Sequence, residues 1–416
     1  MGKDNDGGDA PPPLYTTYQA DLYNRGILER IPPPMTTDPN RLRAQAKRVM
    51  RPEAFDYVAG GAGEGATMDA NRLAFRQWKI VPRVMKPASP RNLKVELFGE
   101  QYDTPILCAP AGAQEVYHAD KEVGTARACA ELNVPFIMST ASTSTIQEVA
   151  DASGSGGPRW FQLYWPADDE ITASLLQTAW DAGFRVLVVT LDTARMAWRP
   201  HDLDRTFLPF ALGQGNIVGY RDPVFRRKFA AWSDGDTPEE SPMLAARYWL
   251  SEIFSGNNRS WEELSLLKRL WPGPVVVKGI QHPEDARLAA RHGADGIIVS
   301  NHGGRQVDGA IGSLEMLPDV VAAVEGQNIP VLFDSGVRTG ADIFKALSLG
   351  ARAVLVSRPI LYGLGIAGRD GVKHILASLL ADLDGTMLLA GVQNVKDLGT
   401  GNLKKVAYGG DIKANL

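Results

Sequence analysis

Eight short apolar runs recur along the chain, at 105–109, 135–138, 160–164, 185–191, 274–277, 296–299, 330–333 and 353–356. Each is followed by a polar loop and then, in most cases, by a stretch of helical periodicity. A strand that is apolar at every position has no face to offer to water, so it must be covered on both sides. Parallel βα units supply that cover, and two-residue hairpins do not. Eight such units point to the α/β class and to a closed (β/α)8 TIM barrel. An open doubly wound sheet is the weaker alternative, because no G-x-G-x-x-G follows the first run.

The rest of the chain is arranged around this barrel. Residues 1–40, rich in Gly, Pro, Asp and Thr, read as a flexible N-terminal tail or strap with only short order of its own. Residues 41–416 then form a single barrel unit. Residues 41–77 read as two helices, with Leu42, Ala46, Val49 and Met50 at helical spacing. Pro52 restarts the helix before Tyr57-Val58-Ala59-Gly60-Gly61 ends it. Pro82, Pro87 and Pro90 break 78–103 into pieces that suit a hairpin. Between the fourth and fifth runs, 192–273 far exceeds a helical crossover and is too rich in Phe, Trp and Tyr for a disordered linker. Insertions of this length at the C-terminal face of a barrel usually cover an active site.

Composition removes several function classes. The 44 Lys and Arg nearly balance 48 Asp and Glu, for a net charge of −4, and no basic stripe stands out. Nucleic acid and anionic membrane surfaces are therefore not expected partners. Cys108 and Cys129, the only cysteines, exclude a Cys-rich metal site and read as small buried hydrophobes; no metal is expected. No apolar run reaches about 18 residues, and the N-terminus lacks an apolar leader core. A cytoplasmic location is expected, with a peroxisomal one as the alternative suggested by the closing Lys413-Ala414-Asn415-Leu416.

In a barrel the chemistry sits where strands end and βα loops begin. Polar groups gather at those positions: Ser139, Gln162, Tyr164, Thr190, Asp192, Lys278, Ser300-Asn301-His302-Gly303-Gly304-Arg305-Gln306, Asp334-Ser335-Gly336-Val337-Arg338 and Ser357-Arg358. A Gly-bearing loop with Arg338 after run seven, beside Arg358 after run eight, suits a phosphate. Glycine lets backbone N–H groups approach, and guanidinium offers a fork of donors. His302, directly after a buried run and followed by two glycines and an arginine, can share one ligand with Arg305.

The motifs S-N-H-G-G-R-Q at 300–306, V-K-G-I at 277–280, D-S-G-V-R at 334–338 and S-R-P at 357–359 resemble the FMN-dependent α-hydroxy acid oxidases and dehydrogenases. The resemblance covers about 40–400. Y-V-A-G-G at 57–61, F-Q-L-Y-W-P at 161–166, T-L-D-T at 190–193, W-R-P-H-D-L at 198–203 and D-P-V-F-R-R-K-F at 222–229 draw it toward the lactate 2-monooxygenase branch. The resemblance implies that His302 takes the substrate hydroxyl proton as hydride leaves for flavin N5, and that Asp192 stabilises the imidazolium. It assigns the substrate carboxylate to Arg305, Arg199 and Tyr57, and the substrate oxygen to Tyr164. Lys278 would sit at flavin N1/O2. Ser139, Gln162 and Thr190 would bond the polar edge of the isoalloxazine, with Pro110, Ala111 and Gly112 against the ring. Ser300, Asp334, Gly336, Arg338, Ser357 and Arg358 would complete the FMN site, the arginines on its phosphate.

The implied partners are a small 2-hydroxy acid and O2, in a homotetramer or homo-octamer. The implied outcome is oxidative decarboxylation of a retained 2-oxo acid, with simple oxidase or dehydrogenase turnover as alternatives. The chain departs from the family pattern at Ser357, where glycine is usual. Ala141 and Trp165 stand at positions expected to shape the substrate pocket, and a small Ala141 leaves room for acids bulkier than glycolate.

Overall fold

The structure, a computed structural model, describes residues 15–407; the closing Lys413–Leu416 lies outside them. The eight runs form β1 (Ile106–Cys108), β2 (Phe136–Ser139), β3 (Arg159–Leu163), β4 (Val186–Thr190), β5 (Val275–Ile280), β6 (Gly296–Val299), β7 (Val331–Phe333) and β8 (Ala353–Val356). All are parallel and paired in chain order, and β8 pairs with β1 to close the barrel. Side chains alternate across the pleat. Leu107, Ile137, Trp160, Val188, Val276, Ile298, Leu332 and Leu355 fill one core inside the barrel. Cys108, Met138, Phe161, Val189, Val277, Val299 and Val354 join the larger core beneath the helices. Burial on both faces is why the runs carry no polar alternation.

The expected hairpin is Val95–Leu97 with Glu100–Tyr102. Its two-residue turn, Phe98-Gly99, has positive φ at both positions (57° and 80°), the backbone that matches strand twist. The Phe98 and Tyr102 rings stand edge-on to Trp160 at 5.7 and 6.0 Å, and Trp160 Nε1 donates to Tyr102 Oη at 3.2 Å. Trp160 lies near the start of β3, so the hairpin plugs the barrel's N-terminal mouth and leaves the opposite mouth open.

Three expectations need correction. The part of 1–40 that is described holds a 12-residue helix, Thr17–Leu28, with no buried residue of its own. It is tied to the long helix Arg358–Ala390 by polar contacts, Tyr18 Oη to His374 Nδ1 at 2.7 Å and Thr16 N–H to Asp384 at 2.9 Å, so an apolar stripe was never there to read. Residues 41–77 form three helices, Pro39–Val49, Pro52–Ala59 and Ala66–Gln77. The third buries Thr67, Asn71, Ala74 and Phe75; its inner face is half polar, which hides its period. Finally, Trp78–Ile80 lies outside the hairpin and pairs antiparallel with Leu403–Lys405.

The insertion is ordered. Helices Pro200–Asp204, Ile217–Arg221, Pro223–Trp232, Pro242–Ile253 and Leu264–Leu270 surround an aromatic core of Phe225, Phe229, Tyr248 and Trp249. Asp222 caps Pro223–Trp232 through Val224 N–H and Phe225 N–H and accepts from Ser174 Oγ at 2.5 Å, fastening the insertion to the barrel's outer helices.

Near the hairpin, Arg91 and Asp384 form a buried ion pair with side chains 5% and 1% exposed. Asp384 also accepts the Thr16 N–H, so one carboxylate joins three distant segments. Arg91→Ala strands that carboxylate. It should cost about 3–5 kcal/mol, measured as a lower urea midpoint with little change in slope.

Candidate active site

The open mouth leads into a cleft whose empty space, open solvent included, is about 1000 Å³. Every βα loop region of the barrel contributes to it, those after β2 and β3 with only Ala141 and Tyr164. The insertion adds Met196, Arg199, Phe210 and Phe254, and helix Pro52–Ala59 adds Tyr57.

Local backbone places the histidine. His302, Gly303 and Gly304 have successive positive φ values of 57°, 66° and 74°, a course that favours glycine. A Cβ at Gly303 would come within 2.8 Å of Arg358 Nη1, and one at Gly304 within 2.8 Å of the Met68 backbone. His302 Nδ1 meets Asp192 Oδ1 at 2.7 Å, and the Thr193 hydroxyl donates to the same oxygen at 2.8 Å. Asp192 thus fixes the proton on Nδ1 and leaves Nε2 as the acceptor. Gly279, with φ 107°, makes room for this arrangement: a Cβ there would lie 2.7 Å from Asp192 Cβ.

Lys278 Nζ lies 3.7 Å from Asp192, 3.6 Å from Asp334 and 3.1 Å from Ser300 Oγ. Burial opposes its charge, but the two carboxylates hold its pKa above the ordinary lysine value. Burial also pushes Asp192 toward its neutral form; Lys278 and His302 more than reverse this and keep it well below the carboxylate range. His302 is lowered from the ordinary imidazole value, chiefly by burial, against the pull of Asp192. The lowering favours the neutral imidazole, the form that can accept a proton.

Two guanidinium groups face the same space. Arg305 Nη1 donates to the carbonyls of Tyr57 and Gly60 at 2.6 and 2.8 Å, and the group lies over the Tyr57 ring at 5.1 Å. Arg199 donates to the Arg305 carbonyl at 2.9 Å and to Gln306 Oε1 at 2.7 Å. Burial and the neighbouring Arg305 charge bring Arg199 down to about 10, so it remains a cation. Burial raises Tyr57 and takes Tyr164 up to about 12; both keep their O–H as a donor.

Comparison with known proteins accords with this site. The sequence model of the family described as FMN-dependent dehydrogenase matches residues 46–405. The chain belongs to the FMN-dependent dehydrogenase family. It is 51% identical over 407 residues to the FMN-dependent alpha-hydroxy acid dehydrogenase qulF of Penicillium citrinum, covering 98% of this chain and all of that one. It is 40% identical over 394 residues to an L-lactate oxidase of Lysinibacillus sphaericus, covering 94% and 98%. A crystal structure of mandelate oxidase with benzoyl-formic acid superposes with a TM-score of 0.76 at 34% identity, over 90% of this chain and all of that one. The protein is an FMN-dependent oxidoreductase.

The residues present fit FMN. Arg338 lines the cavity, yet its guanidinium donates only to the Val337 carbonyl at 2.8 Å and has no carboxylate in ion-pair range among the described residues. A cation desolvated in this way calls for an anion. Ser335 and Gly336 beside it, both with positive φ (83° and 86°), shape the loop, while Ala109–Gly112 offers a floor of small side chains. Arg338 would hold the phosphate, Asp334 the sugar-alcohol chain, and Lys278 the electron-rich edge of the ring.

The other predicted residues divide between the cavity wall and the layers behind it. Arg358 lines the cavity, but its three nitrogens donate to the carbonyls of Val58, Gly303 and Gly60 at 2.7–2.9 Å, tying the histidine loop to Tyr57's helix. Burial takes it down to about 9. Ser139, Gln162 and Thr190 form a buried relay across the ends of β2, β3 and β4 (2.8 and 3.0 Å) and are not in the cavity wall. Ser300 also lies behind the wall, bonded to Lys278 and to His302 N–H. Trp165 packs beneath Arg259 at 4.8 Å rather than in the pocket. Pro110, Gly336 and Ser357 line it as expected.

Sequence reasoning missed three supports. Gln306 donates to the Asp192 and Arg195 carbonyls while accepting from Arg199. Asn71 pairs reciprocally with Asn301 at 2.9 and 2.7 Å. Glu122 accepts from Gln114 N–H, Thr143 and Ser144, binding the Gly112 loop to the Ala141 loop. Only Gln306 carried a signal, as the unassigned end of its motif.

Four outcomes follow. His302→Ala should retain FMN and slow anaerobic flavin reduction by about 10²–10⁴-fold. In the native enzyme, kcat/KM should fall as pH drops through the lowered His302 pKa, so the acid limb lies below 6.5. Asp192→Asn removes the charge that raises that pKa, so its limb should move to still lower pH as the rate falls. Arg305→Lys cannot hold two carbonyls and a carboxylate together and should raise KM about 10- to 100-fold; steady-state kinetics checks it.

Proposed function

We propose that the protein oxidises an L-2-hydroxy acid to its 2-oxo acid and passes the electrons to O2. The observation that carries this is one cavity wall holding a histidine polarised by Asp192 beside two cationic forks, Arg199 and Arg305. A base and a carboxylate clamp together select a proton donor next to a carboxylate. The names of the relatives, an L-lactate oxidase and a mandelate oxidase, support both the substrate class and O2.

Bound FMN supplies the two-electron acceptor. Arg305 and Arg199 grip the substrate carboxylate, with an O–H bond from Tyr57, while Tyr164 donates to the substrate oxygen. Nε2 of His302 takes the hydroxyl proton as the α-hydrogen leaves with its electron pair. Asp192 balances the imidazolium, and Lys278 offsets the negative charge that the reduced acceptor gains.

A second reading, oxidative decarboxylation, is favoured by the way the insertion walls the cavity and by the tight Gly112–Ala141 contact. A Cβ on Gly112 would lie 2.4 Å from the Ala141 carbonyl oxygen and 2.8 Å from Ala141 Cβ. If the oxo acid is retained, peroxide attacks it: RCOCOOH plus H2O2 gives RCOOH, CO2 and H2O.

Anaerobic addition of L-2-hydroxy acids should bleach the yellow flavin; no bleaching by any of them defeats the proposal. Under air, free peroxide should fall well short of O2 consumed, with CO2 making up the difference. Stoichiometric peroxide would return the enzyme to a simple oxidase. Gly112→Ala must displace the Ala141 loop and should raise the peroxide fraction.

A further inference from the structure

Once the groups for proton, carboxylate and FMN are assigned, the wall that remains is apolar. The Tyr57 ring stands edge-on to Phe210 at 6.4 Å. Phe210 tilts against Phe254 at 5.9 Å, and Phe254 stands edge-on to Tyr164 at 5.1 Å. Four rings therefore run in a continuous arc between the two tyrosines that flank the reacting hydroxy-carboxylate. Met196 and the single methyl of Ala141 complete this part of the wall.

The polar groups nearby are few, and the hydroxyl closest to the base is already engaged. Thr193 is bonded to Asp192 and faces His302 Nδ1 at 3.1 Å. Tyr117 also lines the cavity, with Tyr57 and Arg305 the foremost ionisable groups acting on its hydroxyl, on the carboxylate side. A hydroxyl, amine or second carboxylate on the substrate's R group would be desolvated against the arc without a partner, and it would be rejected. An R group as small as methyl would leave the rings uncovered. Phe210 and Phe254 belong to the insertion that also supplies Arg199, so the carboxylate clamp and the R-group wall are built from one segment.

The geometry points to a substrate whose R group is large and apolar, aromatic or branched aliphatic, seated in the arc of Tyr57, Phe210, Phe254 and Tyr164. This rests on the hydroxy acid reading above and narrows it. Each buried methylene should add about four-fold to kcat/KM, so a leucine- or phenylalanine-derived hydroxy acid gains well over ten-fold on lactate.

The test is anaerobic flavin reduction of the FMN-loaded enzyme by L-lactate, L-malate, L-2-hydroxy-4-methylpentanoate, L-mandelate and L-3-phenyllactate. The expected result is a kcat/KM at least ten-fold above lactate for the best large apolar acid, with malate no better than lactate. Phe210→Ala and Phe254→Ala should each shrink the large-to-lactate ratio several-fold. Bleaching in which lactate or malate matches or exceeds every large acid overturns the inference while the hydroxy acid reading stands. An unchanged ratio in both variants overturns the arc as the R-group site. No bleaching by any acid overturns the hydroxy acid reading and this inference with it.

Discussion

Asp192 is a half-buried carboxylate just past the end of β4 with an imidazole 2.7 Å away and an ammonium 3.7 Å away. Alone in such a place it would take up a proton, because burial penalises the charged form. Lys278 prevents that, and its own charge is in turn held by Asp192 and Asp334. The groups come from β4, β5 and the loop after β6, so spacing between adjacent strands sets their separation. Thr190 lies opposite Lys278 in the β4–β5 register, the β5–β6 register shifts between Lys278 and Ile280, and Gly279 in that step leaves room for Asp192. Before reaction the cluster holds two carboxylates against one ammonium. A proton arriving on His302 balances it. That balance makes the buried imidazole a useful base despite its lowered pKa.

The clamp arginines depend on the same loop. Arg199 belongs to the insertion, yet its guanidinium is oriented by the Arg305 carbonyl and by Gln306. Gln306 also grips the Asp192 carbonyl. Base, clamp and insertion are thus joined by one amide side chain. Substrate contacts on the insertion side and proton transfer on the barrel side are therefore mechanically linked, without a long relay.

The part of the chain least expected to matter supports this loop from behind. Helix Ala66–Gln77 supplies Asn71 to Asn301 and sets Met68 against Gly304. Its polar inner face made it invisible as a periodic pattern, and that polarity is what the loop needs: backbone N–H groups after a strand end require partners. Arg358 shows the converse. Its motif suggested a phosphate; it lines the cavity, and three of its five N–H donors go to nearby carbonyls. Which acceptor an arginine finds is a property of the space around it.

The sequence by itself determined the barrel, because strands buried on both faces must be apolar throughout and eight of them with helical cover leave few arrangements. It also marked His302, Lys278, Asp192, Arg305 and Arg338, since residues at strand ends fall on one rim in this fold. Tertiary structure decided the rest. It oriented Arg199 through the Arg305 carbonyl and Gln306, turned Trp165 away from the pocket and bonded Arg358 to three backbone carbonyls. It also set Phe210 and Phe254 between two tyrosines. These outcomes depend on contacts between segments far apart in the chain, where periodicity and local motifs carry no information and only packing selects among the available partners.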